Sequence, residues 1–246
     1  MFTRTIDLLG PEGFERLRRS LVVVVGLGGV GSHAAVALAR SGVGRLRLID
    51  FDPVTASSLN RHAVAVAADV GRPKVEVMRE RLLAIAPDLQ IEALRVFLDE
   101  ATAPELLSGS PDYVLDAIDG LNPKVTLLHY CVTHDIRIAA SMGASARTDP
   151  TRLRVADLSK TRVCPLARAV RRRLQRRGVR RGVPCVYSEE ASLPVLPPDD
   201  SEDVLMRGRK RNRLPSFAVM PGIFGYALAG IAIKALAEFD PKTKRS

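Results

Sequence analysis

Two basic residues, Arg61 and Lys74, lie a short distance downstream of a glycine-rich segment, Gly26 to Gly31. Nucleophilic attack on a phosphoryl group builds negative charge on its oxygens and on the leaving pyrophosphate, and fixed arginine and lysine side chains stabilise that charge. Arginine offers a planar fork for two oxygens, whereas lysine offers a point charge. A nicotinamide enzyme reacts at the cofactor ring and does not need such cations. The pair therefore favours ATP over a redox dinucleotide as the ligand.

The glycine-rich segment lies between a predicted strand and a predicted helix. The run from Leu21 to Val25 is short and apolar, and an alanine-rich helix is predicted from Gly31 to about Arg40. Backbone amides at such a helix start can hold phosphate oxygens without any side chain. The pattern alone does not separate a nicotinamide or flavin cofactor from another nucleotide. The glycines predicted to contact the nucleotide are Gly26, Gly28, Gly29 and Gly31.

Two carboxylates follow the next predicted strand. This strand runs from Arg45 to Ile49, and Asp50 and Asp52 come directly after it. Ligands of open α/β sheets bind beyond the carboxyl ends of the strands, and a carboxylate at this place usually holds a ribose hydroxyl. Both residues are therefore predicted to contact the nucleotide.

A further buried strand, from Asp112 to Ile118, carries Asp116 near its C-terminal end and is followed by Asp119. Asp119 is predicted to face the phosphates and hold Mg²⁺, which prefers oxygen ligands and usually takes one or two carboxylates plus phosphate oxygens. Asp116 has two open interpretations, a role in the site or a cap for the helix that starts near Asn122. We therefore expect ATP and Mg²⁺ at this edge of the sheet.

Strands and helices alternate along the chain, which predicts a parallel sheet covered on both faces. The fold class is thus α/β, Rossmann-like and doubly wound. Thr148-Asp149-Pro150 is a turn signal, so the strands on either side of it are expected to form an antiparallel C-terminal extension. One domain is predicted over residues 1–246, with a nucleotide-binding core at 1–147 and the extension at 148–246. The remaining predicted elements are a helix from about Lys74 to Ile85, a strand near Gln90 to Val96, a helix from about Pro123 to His134 and a strand from Ile136 to Ala140.

In order and spacing these motifs resemble the adenylating domain of the ThiF/MoeB superfamily, the relatives of ubiquitin-activating enzymes. The resemblance implies that Asn60 contacts the nucleotide and that Arg61, Lys74 and Asp119 serve adenylation. The segment from Phe2 to Thr5 resembles the one that sends an arginine into the partner subunit's ATP site, which implies a homodimer and a catalytic role for Arg4. The matching segments are Gly26 to Ser32, Asp50-x-Asp52, Asn60-Arg61, Gly71-x-Pro73-Lys74 and Asp116-x-x-Asp119.

The cysteine content limits which branches of the family the chain can resemble. The chain has three cysteines and no Cys-x-x-Cys, so the four-thiolate zinc site common in activators of sulfur-carrier and ubiquitin-like proteins is excluded. The segments Thr148 to Arg152, Ala156 to Thr161 and Pro165 to Ala167 instead resemble the tRNA threonylcarbamoyladenosine dehydratase branch. This similarity runs from about Phe2 to Phe239.

That branch implies a defined reaction. The substrate is a tRNA carrying threonylcarbamoyladenosine, a modified adenosine next to the anticodon that bears a threonine carboxylate. ATP converts the carboxylate to an acyl-adenylate, and a neighbouring carbamoyl atom then closes a ring and expels AMP, so that the tRNA loses water. An intramolecular attack has a high effective molarity and needs no covalent cysteine step. Sulfur-relay proteins would be further partners.

Positive charge is concentrated in one segment. The net charge is +10, and Lys160 to Arg181 contains ten Lys or Arg residues and no Asp or Glu. Apolar residues at helical spacing from Pro165 to Leu174 predict a helix with one packed face and one basic face, which suits an RNA backbone; the alternative is a solvated cationic helix. A second basic cluster, Arg207 to Arg213, follows an acidic stretch. The residues predicted to contact RNA are Arg168, Arg171, Arg172, Arg173, Arg176 and Arg177.

The apolar run from Ala218 to Ile233 has 16 residues and contains Pro221, whereas a membrane-spanning helix needs about 20. We expect a buried helix, at a subunit interface in one interpretation, and membrane association is disfavoured. The three unpaired cysteines and the absence of a signal-peptide pattern indicate a reducing cytoplasm. Cys131 is predicted to be a core residue, and a functional thiol at Cys185 is left open.

Three alternative functions remain. One is adenylation of the C-terminal carboxylate of a sulfur-carrier or ubiquitin-like protein with a flexible Gly-Gly tail. Another is a nicotinamide-dependent oxidoreductase, although the chain after Ala140 is short and basic for a second domain with a proton donor. The third is a non-catalytic RNA-binding module, in which Lys74 and Asp119 would be dispensable.

Overall fold

The centre of the molecule is one seven-stranded sheet, in a computed structural model that describes residues 1–197 and 214–240. The strands are β1 (Leu21–Val25), β2 (Arg45–Ile49), β3 (Gln90–Leu94), β4 (Tyr113–Asp116), β5 (Ile138–Ser141), β6 (Leu153–Asp157) and β7 (Pro184–Ser188). Their order is β3-β2-β1-β4-β5-β7-β6, and the β6–β7 pair alone is antiparallel within this sheet. The predicted fold class is confirmed. The second basic cluster, Arg207 to Arg213, lies outside the described residues.

Helices cover both faces of the sheet. Successive valines of β1 face opposite sides, with Val24 in one apolar cluster and Val25 in the other. The first cluster contains the packed faces of α2 and α7, and the second those of α5 and α6. The helices of the described part are α1 (Thr3–Arg19), α2 (Gly29–Ser41), α3 (Lys74–Ile85), α4 (Ala103–Leu106), α5 (Leu121–Thr133), α6 (Pro165–Arg176) and α7 (Val219–Leu236).

The parallel register aligns the carboxyl ends of the central strands. Val25 at the end of β1 is paired with Ile49 of β2 on one side and with Asp116 of β4 on the other. The loops that leave these three strands therefore start side by side at one edge of the sheet. This edge is where an open α/β sheet binds its ligand.

The expected antiparallel extension exists, but its pairing differs from the prediction. The turn at Asp149 is present, because the Asp149 carboxylate accepts a hydrogen bond from Thr151 N at 2.9 Å and caps a short 3-10 helix. However, β5 before the turn does not pair with β6 after it. The later strand β7 lies between them, parallel to β5 and antiparallel to β6. A turn signal predicts a change of direction and does not identify the partner strand.

Helix α7 contains the apolar run of the sequence. Among the described residues it is the one helix with the length and hydropathy to cross a membrane, and half of it is buried inside the protein. Gly225 allows close contact with α2, since a Cβ there would lie 2.4 Å from the Val30 carbonyl oxygen. Phe224 and Leu228 are fully buried in the core. The helix thus packs as a core helix, as predicted, while Tyr226 remains exposed.

Candidate functional site

A cavity of about 600 Å³ opens at the carboxyl edge of the sheet. It is lined by the glycine-rich loop after β1, by Asp50 and Asp52 after β2, and by Asp119 after β4. Arg61 and Lys74, from the long connection between β2 and β3, also line it. The structure therefore brings together most of the residues that the sequence analysis assigned to phosphate, ribose and metal.

Two glycines shape the phosphate side of the cavity. A Cβ on Gly31 would lie 1.7 Å from the Gly26 carbonyl oxygen, so only glycine lets α2 begin this close to β1. A Cβ on Gly28 would meet no atom within 4 Å, which shows that the loop faces open space there. Helix α2 has no side-chain cap and no acidic residue in its first turn. Its first amides and the positive end of its dipole suit phosphate oxygens.

Asp50 is a buried carboxylate that connects two of these loops. Its Oδ2 accepts a hydrogen bond from Leu27 N at 2.6 Å, and its Oδ1 accepts one from Asp52 N at 2.8 Å. Burial raises the pKa of Asp50, and the Lys74 ammonium opposes that rise. Asp50 thus holds the glycine-rich loop against the end of β2, and a ribose hydroxyl would share its oxygens with these amides.

Lys74 reaches the cavity because the chain after β2 folds back on itself. Lys74 N donates to Asp52 O at 3.1 Å, and an isolated β-bridge joins Pro53 to Pro73, so α3 begins beside the end of β2. The Nζ atom lies 3.2 Å from Asp52 Oδ2, and only 8% of the Lys74 surface is exposed. An ammonium in this partly desolvated place acts more strongly on a phosphate than one in bulk water.

Arg61 is held over the glycine-rich loop by its own segment. Its Nη1 donates to Ser57 O at 2.6 Å and to Asn60 Oδ1 at 3.0 Å. A Cβ on Gly29 would lie 3.1 Å from Arg61 Cγ, so the two residues are in close contact. Asn60 is exposed, lies outside the cavity lining and donates to Ser216 O. The geometry therefore gives Asn60 the task of positioning Arg61 and does not support its predicted contact with the nucleotide.

Asp119 is an exposed carboxylate on the rim of the cavity. Within residues 1–197 and 214–240, no cluster of three or more His, Cys, Asp or Glu side chains could hold a metal by itself. A single carboxylate still fits Mg²⁺, which commonly binds one or two carboxylates and completes its coordination with phosphate oxygens and water. The assignment of Mg²⁺ to Asp119 stays a prediction with which this donor set is compatible.

Asp116 has a role that neither of its two interpretations included. Its Oδ2 lies 2.6 Å from Lys124 Nζ, and both side chains are completely buried. Lys124 also donates to Ser141 O at 2.8 Å, and Asp116 Oδ1 accepts from Ile118 N. Helix α5 has no side-chain cap. Asp116 and Lys124 therefore form a buried ion pair that joins β4, α5 and the end of β5 beneath the cavity. Lys124 was missed by the sequence analysis because its partner is eight residues away across a loop.

Arg4 lies exposed at the start of α1 and does not line the cavity. Gly31 was predicted to contact the nucleotide but is likewise not part of the cavity lining, so that contact stays a prediction. The proposed role of Arg4 concerns the site of a partner subunit, so its position in a single chain leaves that role a prediction.

His62, a buried neighbour of Arg61, gives the stability of the fold a measurable pH dependence. Its Nδ1 accepts hydrogen bonds from Ala65 N at 3.1 Å and Val64 N at 3.3 Å. Burial, together with the positive charges of Lys74 and His33, lowers the pKa of His62 from 6.5 to about 4, although Asp69 partly opposes this. The folded protein therefore keeps His62 neutral at pH values where the unfolded chain binds a proton.

We expect wild-type stability to fall as the pH drops from 6.5 towards 4, and His62 accounts for about 2 kcal/mol of this loss by pH 5. His62→Gln keeps an acceptor for the two amides but cannot titrate. Urea unfolding of both proteins at pH 7 and pH 5 measures the effect. The difference in unfolding free energy between the two proteins should shrink by about 2 kcal/mol at pH 5. A difference independent of pH would contradict the assigned cause.

The cysteines are placed as core residues. Cys185 is buried in β7, where its thiol donates to Ala156 O at 3.3 Å, and burial raises its pKa to about 12. Burial likewise raises the pKa of Cys131 to about 12. A thiolate at either position is therefore disfavoured, and neither residue lines the cavity. Cys164 lines the cavity together with Arg147, a residue that the sequence analysis did not single out.

Helix α6 has the predicted packed and basic faces. Ala167, Val170 and Leu174 are buried. Arg171 is partly used by the protein itself, since its Nη1 donates to Thr161 O at 3.0 Å and to Thr161 Oγ1 at 2.7 Å. Arg173 donates to Asn122 Oδ1, and Arg177 forms an ion pair with Glu100. The side chains of Arg168, Arg172 and Arg176 lie on the exposed face.

Comparison with known proteins places the chain in a family. The ThiF family model matches residues 2–246. The tRNA threonylcarbamoyladenosine dehydratase of Bacillus subtilis is 40% identical over 248 residues, which cover 99% of this chain and 97% of that protein. The tRNA threonylcarbamoyladenosine dehydratase 2 of Saccharomyces cerevisiae is 40% identical over 258 residues, but this chain spans only 58% of its length.

Two solved structures of the Escherichia coli tRNA N6-threonylcarbamoyladenosine dehydratase have the same fold. The complex with AMP has a TM-score of 0.86 at 33% identity, and the complex with ATP has 0.84 at 32%. Each match covers 100% of this chain and 96% of the other. With a family model over nearly its whole length and relatives of this similarity, the chain belongs to the ThiF family.

Proposed function

We propose that this protein catalyses the ATP-dependent dehydration of threonylcarbamoyladenosine in tRNA. The observation that carries the proposal is one cavity in which Arg61, Lys74 and Asp119 surround an open glycine-rich loop. The Bacillus subtilis relative, which matches this chain almost from end to end, is named for that reaction. The related Escherichia coli enzyme was solved with ATP and with AMP, the nucleotide that an adenylating reaction releases.

In the first step, the threonine carboxylate attacks the α-phosphorus of ATP, and pyrophosphate leaves with the electron pair of the broken bond. Lys74 and Arg61 neutralise the charge that grows on the phosphate oxygens. Asp119 would hold Mg²⁺, whose charge offsets that of the departing pyrophosphate. In the second step, a carbamoyl atom of the same nucleoside attacks the acyl carbon, gives up a proton to solvent and displaces AMP. This attack is intramolecular, so it is consistent with thiols that burial keeps protonated.

The basic helix connects RNA binding to the cavity. Pro165 and Leu166, the first two residues of α6, line the cavity. The exposed arginines of α6 follow directly and would hold the phosphate backbone outside the mouth of the cavity. A tRNA bound along this face would have its modified adenosine close to the nucleotide.

The test is incubation of the protein with ATP, Mg²⁺ and tRNA that carries threonylcarbamoyladenosine, followed by mass analysis of the nucleosides. We expect the modified nucleoside to lose the mass of one water, with AMP and pyrophosphate released in equal amounts. Release of pyrophosphate only in the presence of a carrier protein ending in Gly-Gly would indicate the alternative carboxylate. A folded, ATP-binding sample that leaves the nucleoside unchanged would count against the proposal.

Removal of three exposed charges from α6 should weaken tRNA binding without affecting the cavity. In the variant Arg168→Gln, Arg172→Gln, Arg176→Gln we expect affinity to fall about tenfold or more. The slope of log affinity against log salt should fall by about one for each phosphate that the variant no longer neutralises. Filter binding at several salt concentrations measures both, and ATP binding serves as the control. An unchanged salt slope would show that tRNA binds elsewhere.

A homodimer with Arg4 acting across the interface, sulfur-relay partners and a cytoplasmic location belong to the same proposal and stay predictions. Mixing a Lys74→Met protein with an Arg4→Ala protein would test whether Arg4 acts across a dimer interface. If Arg4 serves the partner subunit, some mixed dimers contain one complete site and turnover should partly return.

A further inference from the structure

Arg147 is a buried charge at the cavity whose hydrogen-bonding capacity is only partly used. Only 3% of the residue is exposed, and its Nη1 donates to Ser145 O at 3.0 Å. Its Nε and Nη2 are buried and, within the part of the chain that the structure describes, have no hydrogen-bond partner. Arg147 lines the same cavity as Lys74 and Asp119.

In the protein without a ligand, a buried guanidinium with two unpaired N–H donors costs free energy of folding. A guanidinium keeps its charge at any physiological pH, and a buried charge is normally paired or fully hydrogen-bonded. Buried donors without partners are rare in folded proteins and occur at places where an ion or ligand completes them. Two neighbouring N–H donors in the plane of a guanidinium match the two oxygens of a carboxylate.

The strand order shows what part of a ligand would reach Arg147. Along the sheet the cavity passes from Asp50 after β2, through the glycine-rich loop and Asp119, to the segment after β5 that carries Arg147. The nucleotide side thus lies at one end and Arg147 at the other. Only 3% of Arg147 is exposed to solvent, so the guanidinium charge is weakly screened.

Gly143 packs closely against the guanidinium. A Cβ on Gly143 would lie 3.2 Å from Arg147 Nη1 and 3.7 Å from Cys164 Sγ, so a side chain there would press on both. Glycine at position 143 thus lets the guanidinium lie against the segment that follows β5.

We propose that Arg147 binds the carboxylate that becomes adenylated, an assignment that rests on the proposed function. The Nε and Nη2 donors hold the two carboxylate oxygens, and one of these oxygens attacks the α-phosphorus with its remaining lone pair, forming the new O–P bond as the bond to pyrophosphate breaks. No proton moves in this step. Arg147 therefore binds the attacking carboxylate, whereas Lys74 and Arg61 act on the phosphates of ATP.

The experiment compares two RNA ligands, an anticodon stem-loop carrying threonylcarbamoyladenosine and the same stem-loop with the carboxylate replaced by a carboxamide. Binding is measured with an ATP analogue whose α–β bridge is methylene, so that no turnover occurs. We expect the wild-type protein to prefer the carboxylate about 10- to 100-fold, as a hydrogen-bonded charge pair would give. Arg147→Gln should bind both ligands equally and keep its ATP affinity. Arg147→Lys should retain part of the preference.

Arg45→Gln is the matched control, because Arg45 is exposed at the opposite end of β2, away from the cavity. It should keep the full carboxylate preference. Without ligand, Arg147→Gln should melt at the wild-type temperature or higher, because an uncompensated buried charge is removed. A strongly lowered melting temperature or failure to fold would overturn the proposal, since the guanidinium would then be paired within the chain.

Two failures can be told apart. If wild-type protein turns over threonylcarbamoyladenosine and Arg147→Gln still prefers the carboxylate, the assignment of Arg147 is wrong while the proposed function stands. If wild-type protein shows no dehydrated product and no preference between the two stem-loops, the proposed function itself is wrong.

Discussion

Replacing Lys74 by methionine is expected to lower the rate of ATP-dependent dehydration by about 10²- to 10³-fold. The Lys74 ammonium is nearly buried beside the cavity, 3.2 Å from Asp52. Methionine has a similar length and keeps the packing at the start of α3, but it removes one of the two fixed cations, with Arg61, that would neutralise the charge growing on the phosphate oxygens. Asp52 remains partly exposed, so its loss of a partner should cost little, but the buried Asp50 also loses the ammonium that offsets its burial, and the stability of the variant is therefore measured beside its turnover.

Single-turnover rates with saturating tRNA measure this effect, and ATP binding is followed separately. Arg72→Met is the matched control, since Arg72 lies two residues earlier and pairs with Asp69 and Glu80 outside the cavity lining. It should turn over at close to the wild-type rate. The RNA-binding alternative makes the opposite prediction for Lys74→Met, namely unchanged cellular function. If Lys74→Met keeps wild-type turnover, the proposed adenylation mechanism in this cavity is wrong.

The part of the site that could be predicted from sequence depends on local signals. The strand before Gly26 and the helix after it follow from short-range patterning, and α3 begins and ends at the predicted residues. Once the strands are parallel, residues that directly follow them must meet at one edge. Asp50 and Asp119 could thus be grouped without knowing a single long-range contact, whereas Lys74 was assigned to the site from its charge and from the family resemblance.

The missed residues depend on contacts that no local pattern encodes. Arg147 follows β5 by six residues and becomes part of the cavity only because β5 lies next to β4. The position of β7 between β5 and β6 similarly depends on which edge of the sheet is unpaired when the chain returns to the sheet after α6. Asn60 shows the opposite case, since its neighbour Arg61 lines the cavity while its own side chain turns towards Ser216, so its predicted contact with the nucleotide stays a prediction. Adjacent residues in a loop need not face the same way.

Replacing Lys124 by methionine should destabilise the folded protein by about 3–5 kcal/mol, the usual effect of breaking a buried ion pair. Lys124 and Asp116 lie 2.6 Å apart with no exposed side-chain surface. Burial raises the pKa of Asp116, and the Lys124 ammonium opposes that rise. Without the ammonium, Asp116 will be protonated in the folded variant while it is ionised in the unfolded chain. The variant should therefore lose about 1.4 kcal/mol of stability for each pH unit above the unfolded pKa, until the folded pKa is reached.

The double variant Asp116→Leu, Lys124→Met separates the charge pair from the packing. Because both charges are removed together, its stability should recover most of the loss and should no longer depend on this pair as the pH rises. Urea unfolding of the wild type, both single variants and the double variant gives the coupling energy, which we expect to be large and favourable. If the two single losses simply add, the pair is not coupled. In that case the junction of β4, α5 and β5 is held by packing and by the remaining hydrogen bonds, and the buried ion pair adds no specific stability.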